Sequence, residues 1–411
     1  MEKETEKQNL GSGSIPGLMI KLAVLTIIAQ LVNLLYNLVD RIYIGHIREV
    51  GDIALTGLGL CFPVLMMVTA FAMLIGSGGA PRAAIYMGKG DNETAERILG
   101  NSVTSLIVIS VVLTIFLEAV AEPILWMFGA SEKTLPFALG YMRIYVAGSI
   151  FVMMTLGLNM FITTQGFAKI SMKTVLIGAI CNIILDPLFI FAFHMGVKGA
   201  ALATITAQAV SAVWVVRFLC GRRTKLRIQR RLLRLDAKVL APVLALGLSP
   251  FIMQSTESLV NIAFNSSLKT YGGDPAVGAM TICSSIMQVF SLLFQGLSQG
   301  AQPIVGYNYG AGQLDRVKRT FRLLFFSSLC FSCAACAALE LFPGLFVSLF
   351  NDKPELVEIA VWALHIYAAG MFMLGVQFSC QQTFVALGQT RVSLFLALLR
   401  KVILLIPLIL L

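Results

Sequence analysis

Residues 76–97 read GSGGAPRAAIYMGKGDNETAER, and residues 298–319 read SQGAQPIVGYNYGAGQLDRVKR. The second stretch repeats the first at a constant separation of 222 residues (300 minus 78); the matched positions are Gly78 and Gly300, Pro81 and Pro303, Gly88 and Gly310, Gly90 and Gly312, and Arg97 and Arg319. Farther along, Ala147-Gly148 recurs as Ala369-Gly370 at the same separation. A spacing that stays constant over this distance indicates a duplicated structural unit.

The composition places this duplicated chain in a membrane. Apolar residues make up 57% of the sequence and charged residues 13%, and the mean hydropathy is +0.84. A soluble protein carries about 25% charged residues, so the polar surface needed for a water-exposed exterior is missing. Two like halves in tandem in such a chain favour a transporter whose ligand lies between them.

The apolar segments are long enough to be membrane-spanning helices, because about 20 residues cross the hydrocarbon core. They are continuous rather than alternating, which favours helices over barrel strands. We expect eleven of them, at roughly 16–44, 53–79, 93–121, 133–164, 170–193, 199–220, 239–268, 275–303, 317–342, 356–387 and 393–411. The fold class predicted is therefore all-α and integral to the membrane, with two tandem six-helix bundles related by a pseudo-two-fold axis, the second lacking its last helix. Either the chain is a fragment of a twelve-helix protein, which we favour, or the repeat is broken.

Four regions follow from this pattern. They are an N-terminal tail (1–15), a first lobe (16–220), a basic linker (221–238) and a second lobe (239–411). The tail lacks the apolar segment of a signal peptide. The linker alternates leucines with arginines, so it either lies on anionic headgroups as an amphipathic segment or forms an ordinary cytoplasmic loop.

Lysine and arginine are concentrated in alternate loops, which sets the expected orientation. The basic loops contain Arg82, Lys89 and Arg97, then Lys169 and Lys173, then the linker, then Arg316, Lys318, Arg319 and Arg322, and then Arg391. By the positive-inside rule these loops and the N-terminus are cytoplasmic. The net charge of +10 therefore needs no nucleic acid, and membrane lipids are the expected neighbours of this basic face.

Two acids lie inside predicted membrane spans, where a charge is costly and indicates function by default. Asp40 lies in LVDRIYIG and Asp186 in NIILDPLFIF. When the two halves are aligned, Asn261 is the residue that aligns with Asp40, and Asp186 aligns with the apolar Ile406 or its neighbour. This asymmetry favours chemistry in the first half. The alternative is that the acids, Asp40 above all, are helix-end residues at the headgroup level.

The surroundings of Asp186 are suited to binding an ion. Pro187 cannot donate its amide, so the helix should bend there and free a backbone oxygen. Asn182 lies one turn before Asp186 on the same face, and Thr204 lies in the next helix. Oxygens of Asp40, Asn182, Asp186 and Thr204 can coordinate Na⁺. The same carboxylates can instead bind protons, because burial and mutual repulsion disfavour their ionised form. The residues leave H⁺ and Na⁺ both open.

A second group of residues is suited to lining a wet cavity. Glu257 is an intramembrane acid in the seventh span and can neutralise a cationic substrate. The cavity residues expected with it are Gln254, Asn37, Met66, Met153 and Gln288. Methionine adapts to varied apolar shapes, although such stripes serve plain packing as well. Arg400 and Lys401 lie midway in the last span and either face a cavity or extend toward the interface.

Catalytic constellations are missing from the sequence. The three histidines have no metal-binding spacing. Cys330, Cys333 and Cys336 lie within one span, and their spacing is typical of a small-residue packing strip rather than cluster ligands. We therefore expect neither an enzyme nor a resident cofactor.

The motifs together resemble the MATE (multidrug and toxic compound extrusion) family, and in particular its prokaryotic branch of DinF- and MepA-like exporters. The resemblance covers nearly the whole chain and depends on the two glycine–proline turns already quoted, LVDRIYIG and NIILDP. It implies a V-shaped pair of six-helix lobes with a substrate cavity between them. It also implies an ion site formed by Asp40, Asn182, Asp186 and, less directly, Thr204. Departures from the family are the lack of a proline inside the first span after Pro16 and the lack of an aspartate in the tenth span.

The function expected from the resemblance is secondary active multidrug efflux. Amphipathic organic cations would be exported in exchange for H⁺ or Na⁺ by alternating access, and the protein would contribute to antibiotic resistance as a monomer in a bacterial or archaeal plasma membrane (the inner membrane where there are two). The alternative is a flippase for lipid-linked precursors, which would need cationic residues along its cavity to hold diphosphates.

Overall fold

A computed structural model of the chain describes residues 10–47, 50–350 and 354–410, and the regular structure in these ranges is helical. The α-helices in chain order are α1 (Ile15–Gly45), α2 (Gly51–Gly88), α3 (Asn92–Ala119), α4 (Ala121–Met127), α5 (Leu135–Ala147), α6 (Ser149–Thr164), α7 (Ala168–Pro187), α8 (Val197–Cys220), α9 (Ala237–Gly310), α10 (Leu314–Leu341), α11 (Pro343–Ser348), α12 (Pro354–Ala369), α13 (Phe372–Ala386), α14 (Thr390–Leu398) and α15 (Ile406–Leu410). Two π-helical segments (Leu188–Ala192 and Leu399–Leu405) and one 3₁₀ turn (Arg230–Leu232) complete the set.

The membrane spans agree in number with the sequence prediction. Within the described residues, nine helical stretches are long and apolar enough to cross a bilayer, and the number is eleven if each of two bent pairs is one span. The bent pairs are α5 with α6, at 54°, and α12 with α13, at 46°. Both bends fall at the duplicated Ala-Gly dipeptide, Ala147-Gly148 and Ala369-Gly370. The prediction of an all-α membrane fold is confirmed.

The seventh and eighth spans both lie in α9 and are separated at Gly273, within the predicted gap between them. The φ of 65° at Gly273 is a left-handed conformation that glycine adopts without strain. One local feature differs from the predicted pattern. Short helices α4 and α11 follow α3 and α10, beyond the points where the predicted runs end. Their few residues carry too little periodicity to be predicted as separate elements.

The chain divides into two compact units. The N-unit is Ile28–Ser255, and the C-unit contains the described residues up to Ile27 and those from Thr256 onward. The divisions fall inside α1 and α9, so each of these helices contributes its first part to one unit and its remainder to the other. The lobe limits expected from the sequence, 16–220 and 239–411, stay a prediction.

In the N-unit, α2 packs along α3 and α6, and α8 packs along α6 and α7. Glycines allow the first part of α9 to approach α2 at backbone contact. A Cβ atom at Gly78 would lie 2.1 Å from the Val243 carbonyl oxygen, and one at Gly247 would lie 1.8 Å from that of Leu74. Small residues at such crossings are typical of helix packing in membranes.

In the C-unit, α10 packs against α12 and α13. Phe294 is fully buried at its centre, with its ring 5.9 Å from Phe378 and 5.1 Å from Phe331. A Cβ atom at Gly300 would lie 2.5 Å from the Ala23 nitrogen of α1. The repeated glycines Gly78 and Gly300 therefore have the same role in their own units, close approach of two helix backbones.

The segments that precede α1 and α9 are each held by side chains of their own unit. Gln165 Oε1 accepts hydrogen bonds from Thr224 and from the amides of Lys225 and Leu226, at 2.8–2.9 Å. In the C-unit, Arg316 donates to the Gly13 carbonyl at 2.7 Å. Leu226 is fully buried, so this part of the linker directs its apolar side chain into protein rather than toward headgroups.

Candidate functional site

Four helices of the N-unit converge on Asp40 and Asp186, and each contributes two polar side chains four residues apart. Residues spaced by four lie one above the other on the same helical face. The pairs are Tyr36 and Asp40 on α1, Tyr141 and Tyr145 on α5, Asn182 and Asp186 on α7, and Thr204 and Gln208 on α8. The site is therefore two side-chain layers deep.

The predicted ion ligands are brought together. Asp186 is 0% exposed, Asn182 is 1% exposed and Asp40 is 8% exposed. The Asn182 amide donates to Asp186 Oδ1 at 3.2 Å and lies 3.4 Å from Thr204 Oγ1. The carboxyl groups of Asp40 and Asp186 lie within hydrogen-bonding reach of each other. Both acids are buried within the N-unit, with Asp40 inside α1 and Asp186 next to the last residue of α7.

Two tyrosine hydroxyl groups border the acids. Tyr141 is buried and interacts with the Thr204 hydroxyl. Tyr36 interacts with the side chains of Asn37 and Gln208. It also interacts electrostatically with Asp40 and Asp186. The two phenols place polar but uncharged groups beside the carboxyl pair.

Four buried oxygens of this site have no hydrogen-bond donor among the described residues. They are Asp40 Oδ1, Asn182 Oδ1, Asp186 Oδ2 and Gln208 Oε1. A buried acceptor without a donor costs about 1–3 kcal/mol, and a charged one costs more. A convergent set of such acceptors is suited to binding a positive charge.

The backbone around Asp186 changes at Pro187. Helix α7 ends at this proline, and the chain continues as the π-helical segment Leu188–Ala192. Proline has no amide hydrogen and disrupts the α-helical hydrogen-bond pattern, and single π turns are frequent at functional sites. The change of helix type confirms that the hydrogen-bond register is altered beside the acid; the predicted bend stays a prediction.

The chemistry of the oxygens decides which ions fit. Carboxylate and amide oxygens suit a hard cation such as Na⁺. Two carboxyl groups in contact can alternatively share a proton, because both cannot remain ionised without compensation. The described residues contain no group of three His, Cys, Asp or Glu side chains able to hold a metal ion, so a transition-metal centre is not indicated there.

The predicted cavity residues are more scattered. The Gln254 amide lies 3.3 Å from Met66 Sδ, joining α9 to α2 within the N-unit. Met153 is fully buried in α6, whereas Asn37 is exposed and donates to the Asn33 carbonyl. In the C-unit, Gln288 is exposed on α9. Their roles in binding substrate stay predictions.

Glu257 has a partner that the sequence did not indicate. Lys401, in the second π-helical segment, forms an ion pair with Glu257 Oε2. The Lys401 side chain is 9% exposed and that of Glu257 is 56% exposed. The last span therefore directs a lysine into the C-unit.

Sequence reasoning missed Tyr36, Tyr141 and Gln208. A signal existed for Tyr36 and Gln208, which lie four residues from a residue already selected, on the same helical face. Lys401 was selected from the sequence, but its pairing with Glu257 was not predicted, because a π segment shifts the direction of every following side chain.

Comparisons with known proteins agree with this architecture. A family model described as MatE matches residues 26–188 and 250–411. The chain is similar to the multidrug export protein MepA of Staphylococcus haemolyticus, at 25% identity over 372 residues that cover 90% of this chain and 81% of the relative. It is similar to MepA of Staphylococcus aureus (strain NCTC 8325 / PS 47) at 23% identity over 376 residues, covering 92% and 82%.

Solved structures show the same fold. A crystal structure of MATE in the bent conformation matches with a TM-score of 0.91 and 24% identity, covering 98% of this chain and 89% of that chain. A transporter of the MOP superfamily from Pyrococcus furiosus matches with a TM-score of 0.90 and 24% identity, covering 99% and 90%.

Proposed function

Because the chain belongs to the MatE family of membrane transporters, we propose that it is a secondary active multidrug efflux antiporter. The chain is accordingly an integral membrane transporter and not an enzyme. The proposal adds the cargo and the coupling: amphipathic organic cations leave the cell in exchange for H⁺ or Na⁺. The similarity to MepA multidrug export proteins supports this cargo.

One observation carries the coupling. The carboxyl groups of Asp40 and Asp186 lie within hydrogen-bonding reach of each other inside the N-unit, and buried oxygens of the site have no hydrogen-bond donor among the described residues. Two ionised carboxylates that are buried away from water repel each other strongly. A proton or a Na⁺ ion relieves that repulsion, so the site is charged without the ion and compensated with it.

The ion acts on transport through helix packing. Asp40 lies on α1, and Asp186 lies on α7, so neutralising the pair removes a repulsion between two helices. Coupling requires that the ion bind one transport state more tightly than the other, since an ion with equal affinity for both shifts nothing. We propose that the ion favours the state that releases the substrate outside, with alternating access of the two halves.

The alternative function, a flippase for lipid-linked precursors, needs cationic side chains that are free to hold a diphosphate. Lys401 is engaged by Glu257, which leaves Arg400 as the other cation midway along that span. The acid pair of the N-unit is also unfavourable for an anionic headgroup. The antiporter is therefore the function that the site supports best.

The experiment is efflux of a fluorescent organic cation, ethidium, from vesicles that contain the protein. An imposed inward pH gradient and an imposed inward Na⁺ gradient are applied separately. We expect one of them to accelerate efflux and its collapse by an ionophore to stop the acceleration. Efflux that responds to neither gradient in protein that binds ethidium would reject the antiporter.

A further inference from the structure

The ion pair between Glu257 and Lys401 lies deep in the membrane. The last span begins at Thr390, and a rise of about 1.5 Å per residue places Lys401 some 16 Å farther along it. This is about half of the 30 Å hydrocarbon core. A lone charge at this depth is costly, so the acid and the base stabilise each other.

The surroundings of the pair carry an excess of positive charge. Arg400 precedes Lys401 and interacts electrostatically with Glu257, and the Tyr367 phenol of α12 also faces this carboxylate. The groups described around Glu257 thus comprise one acid, two bases and one neutral phenol. The N-unit site has the opposite balance among the described residues, with two acids and the exposed Arg41 beside them.

An incoming cation would have to displace the Lys401 ammonium from Glu257. The lysine is tethered by its own helix, so it meets the carboxylate at a high effective concentration. Its side chain is also the more buried partner, and removing the partner of a buried charge leaves that charge uncompensated. A free ion or a substrate cation competes poorly against such a tethered ammonium.

We infer that Lys401 is a built-in counter-ion that permanently occupies the cation position at Glu257 and confines ion coupling to the N-unit. The inference rests on the proposed antiport for the site at Asp40 and Asp186. Lys401 then determines how many ions are exchanged for each substrate. Glu257 binds the Lys401 ammonium rather than the substrate cation. This revises the sequence prediction that Glu257 neutralises a cationic substrate.

The test counts the ions displaced when tetraphenylphosphonium binds to the purified full chain in detergent. Protons are counted with a pH electrode in weakly buffered solution, and Na⁺ is counted by release of a radioactive tracer. The variants are Lys401→Met and Glu257→Gln/Lys401→Met. Lys401→Met leaves Glu257 without its ammonium, so we expect about one additional proton or Na⁺ per bound tetraphenylphosphonium. The double variant removes both charges, so we expect the wild-type number.

Three results would overturn the inference. They are an unchanged ion count in folded Lys401→Met, a reduced count in the double variant, and an efflux rate in the double variant more than about tenfold below wild type. The double variant removes both members of the ion pair, so it keeps the test valid if Lys401→Met does not fold. If wild type displaces no ion at all, the proposed antiport fails, whereas the difference between wild type and Lys401→Met still tests Lys401.

Discussion

The two halves of this chain share a backbone plan but differ in the charges placed inside it. The N-unit buries the carboxyl groups of Asp40 and Asp186 within hydrogen-bonding reach of each other, whereas the C-unit joins Glu257 to Lys401. With the offset that aligns LVD (38–40) with LVN (259–261), Glu257 takes the position of Tyr36. A duplicated scaffold thus holds an uncompensated acid pair on one side and a compensated pair on the other.

The residues that set helix packing in this chain differ from those that set the charges inside each unit. The repeated glycines Gly78 and Gly300 serve the same close approach in both units. π-helical segments lie beside Asp186 and at Lys401, so both halves use the same backbone irregularity to place a charged group. On the proposed coupling, the side chains at these positions decide whether an exchangeable ion binds.

The largest effect is expected from removing one acid of the N-unit. Asp40→Asn or Asp186→Asn removes the charge that the ion compensates, and we expect ion-driven ethidium efflux to fall by about 100-fold or more, equivalent to about 2.7 kcal/mol. Glu118→Gln is the matched control, because Glu118 faces Arg143 at 3.8 Å where both side chains are partly exposed. Wild-type ethidium efflux rates in both aspartate variants, with membrane insertion intact, would contradict a role of the acid pair in coupling.

The next effect concerns the shared backbone and should be equal in the two halves. Gly78→Ala and Gly300→Ala each force a Cβ atom into a neighbouring backbone, so each should lower the free energy of unfolding by about 1–3 kcal/mol. Gly59→Ala is the control, since a Cβ atom there meets nothing within 4 Å. Thermal unfolding in detergent measures all three, and a loss at Gly78 with none at Gly300 would show that the halves are packed differently.

A smaller effect is expected at the phenol next to the acids. Tyr36→Phe removes a hydroxyl that interacts with Gln208. A hydrogen bond contributes about 0.5–1.5 kcal/mol, so the ion concentration for half-maximal efflux should shift by about two- to tenfold. Tyr43→Phe, one turn outside the site on α1, should leave that concentration unchanged. A shift of the same size in both tyrosine variants would show that Tyr36 has no specific role at the ion site.

The smallest effect is expected at an exposed ion pair. Arg97 Nη2 lies 3.2 Å from Asp236 Oδ2, and the two side chains are 47% and 35% exposed. Such pairs contribute about 0–1 kcal/mol, and salt screens them. Arg97→Ala should therefore change thermal stability and efflux little, in contrast to either charged site in the membrane. A tenfold loss of efflux in Arg97→Ala would show that this exposed ion pair has a role in transport, contrary to our expectation.

Much of the fold follows from sequence patterns. Long apolar runs predicted the number of spans, and the repeated Ala-Gly dipeptide marks the bend in both halves. The short helices α4 and α11 escaped prediction because six or seven residues carry little periodicity.

The site was partly predictable for a similar reason. Asp40, Asn182, Asp186 and Thr204 were selectable because polar groups are rare in apolar spans, and the structure brings them together. Which helices meet, and at what rotation, depends on contacts between residues far apart in the chain. The link from Glu257 to Lys401 depends on such a contact and on a π segment, so the sequence alone could not supply it.

The most direct measurement is the infrared difference spectrum of purified protein between its ion-loaded and ion-free forms. We expect carboxyl band changes in wild type and in Glu257→Gln/Lys401→Met, and we expect them to disappear in Asp40→Asn/Asp186→Asn. Carboxyl bands that persist in the aspartate double variant, or that vanish in the other one, would contradict the claim that the exchanged ion binds at the acid pair of the N-unit.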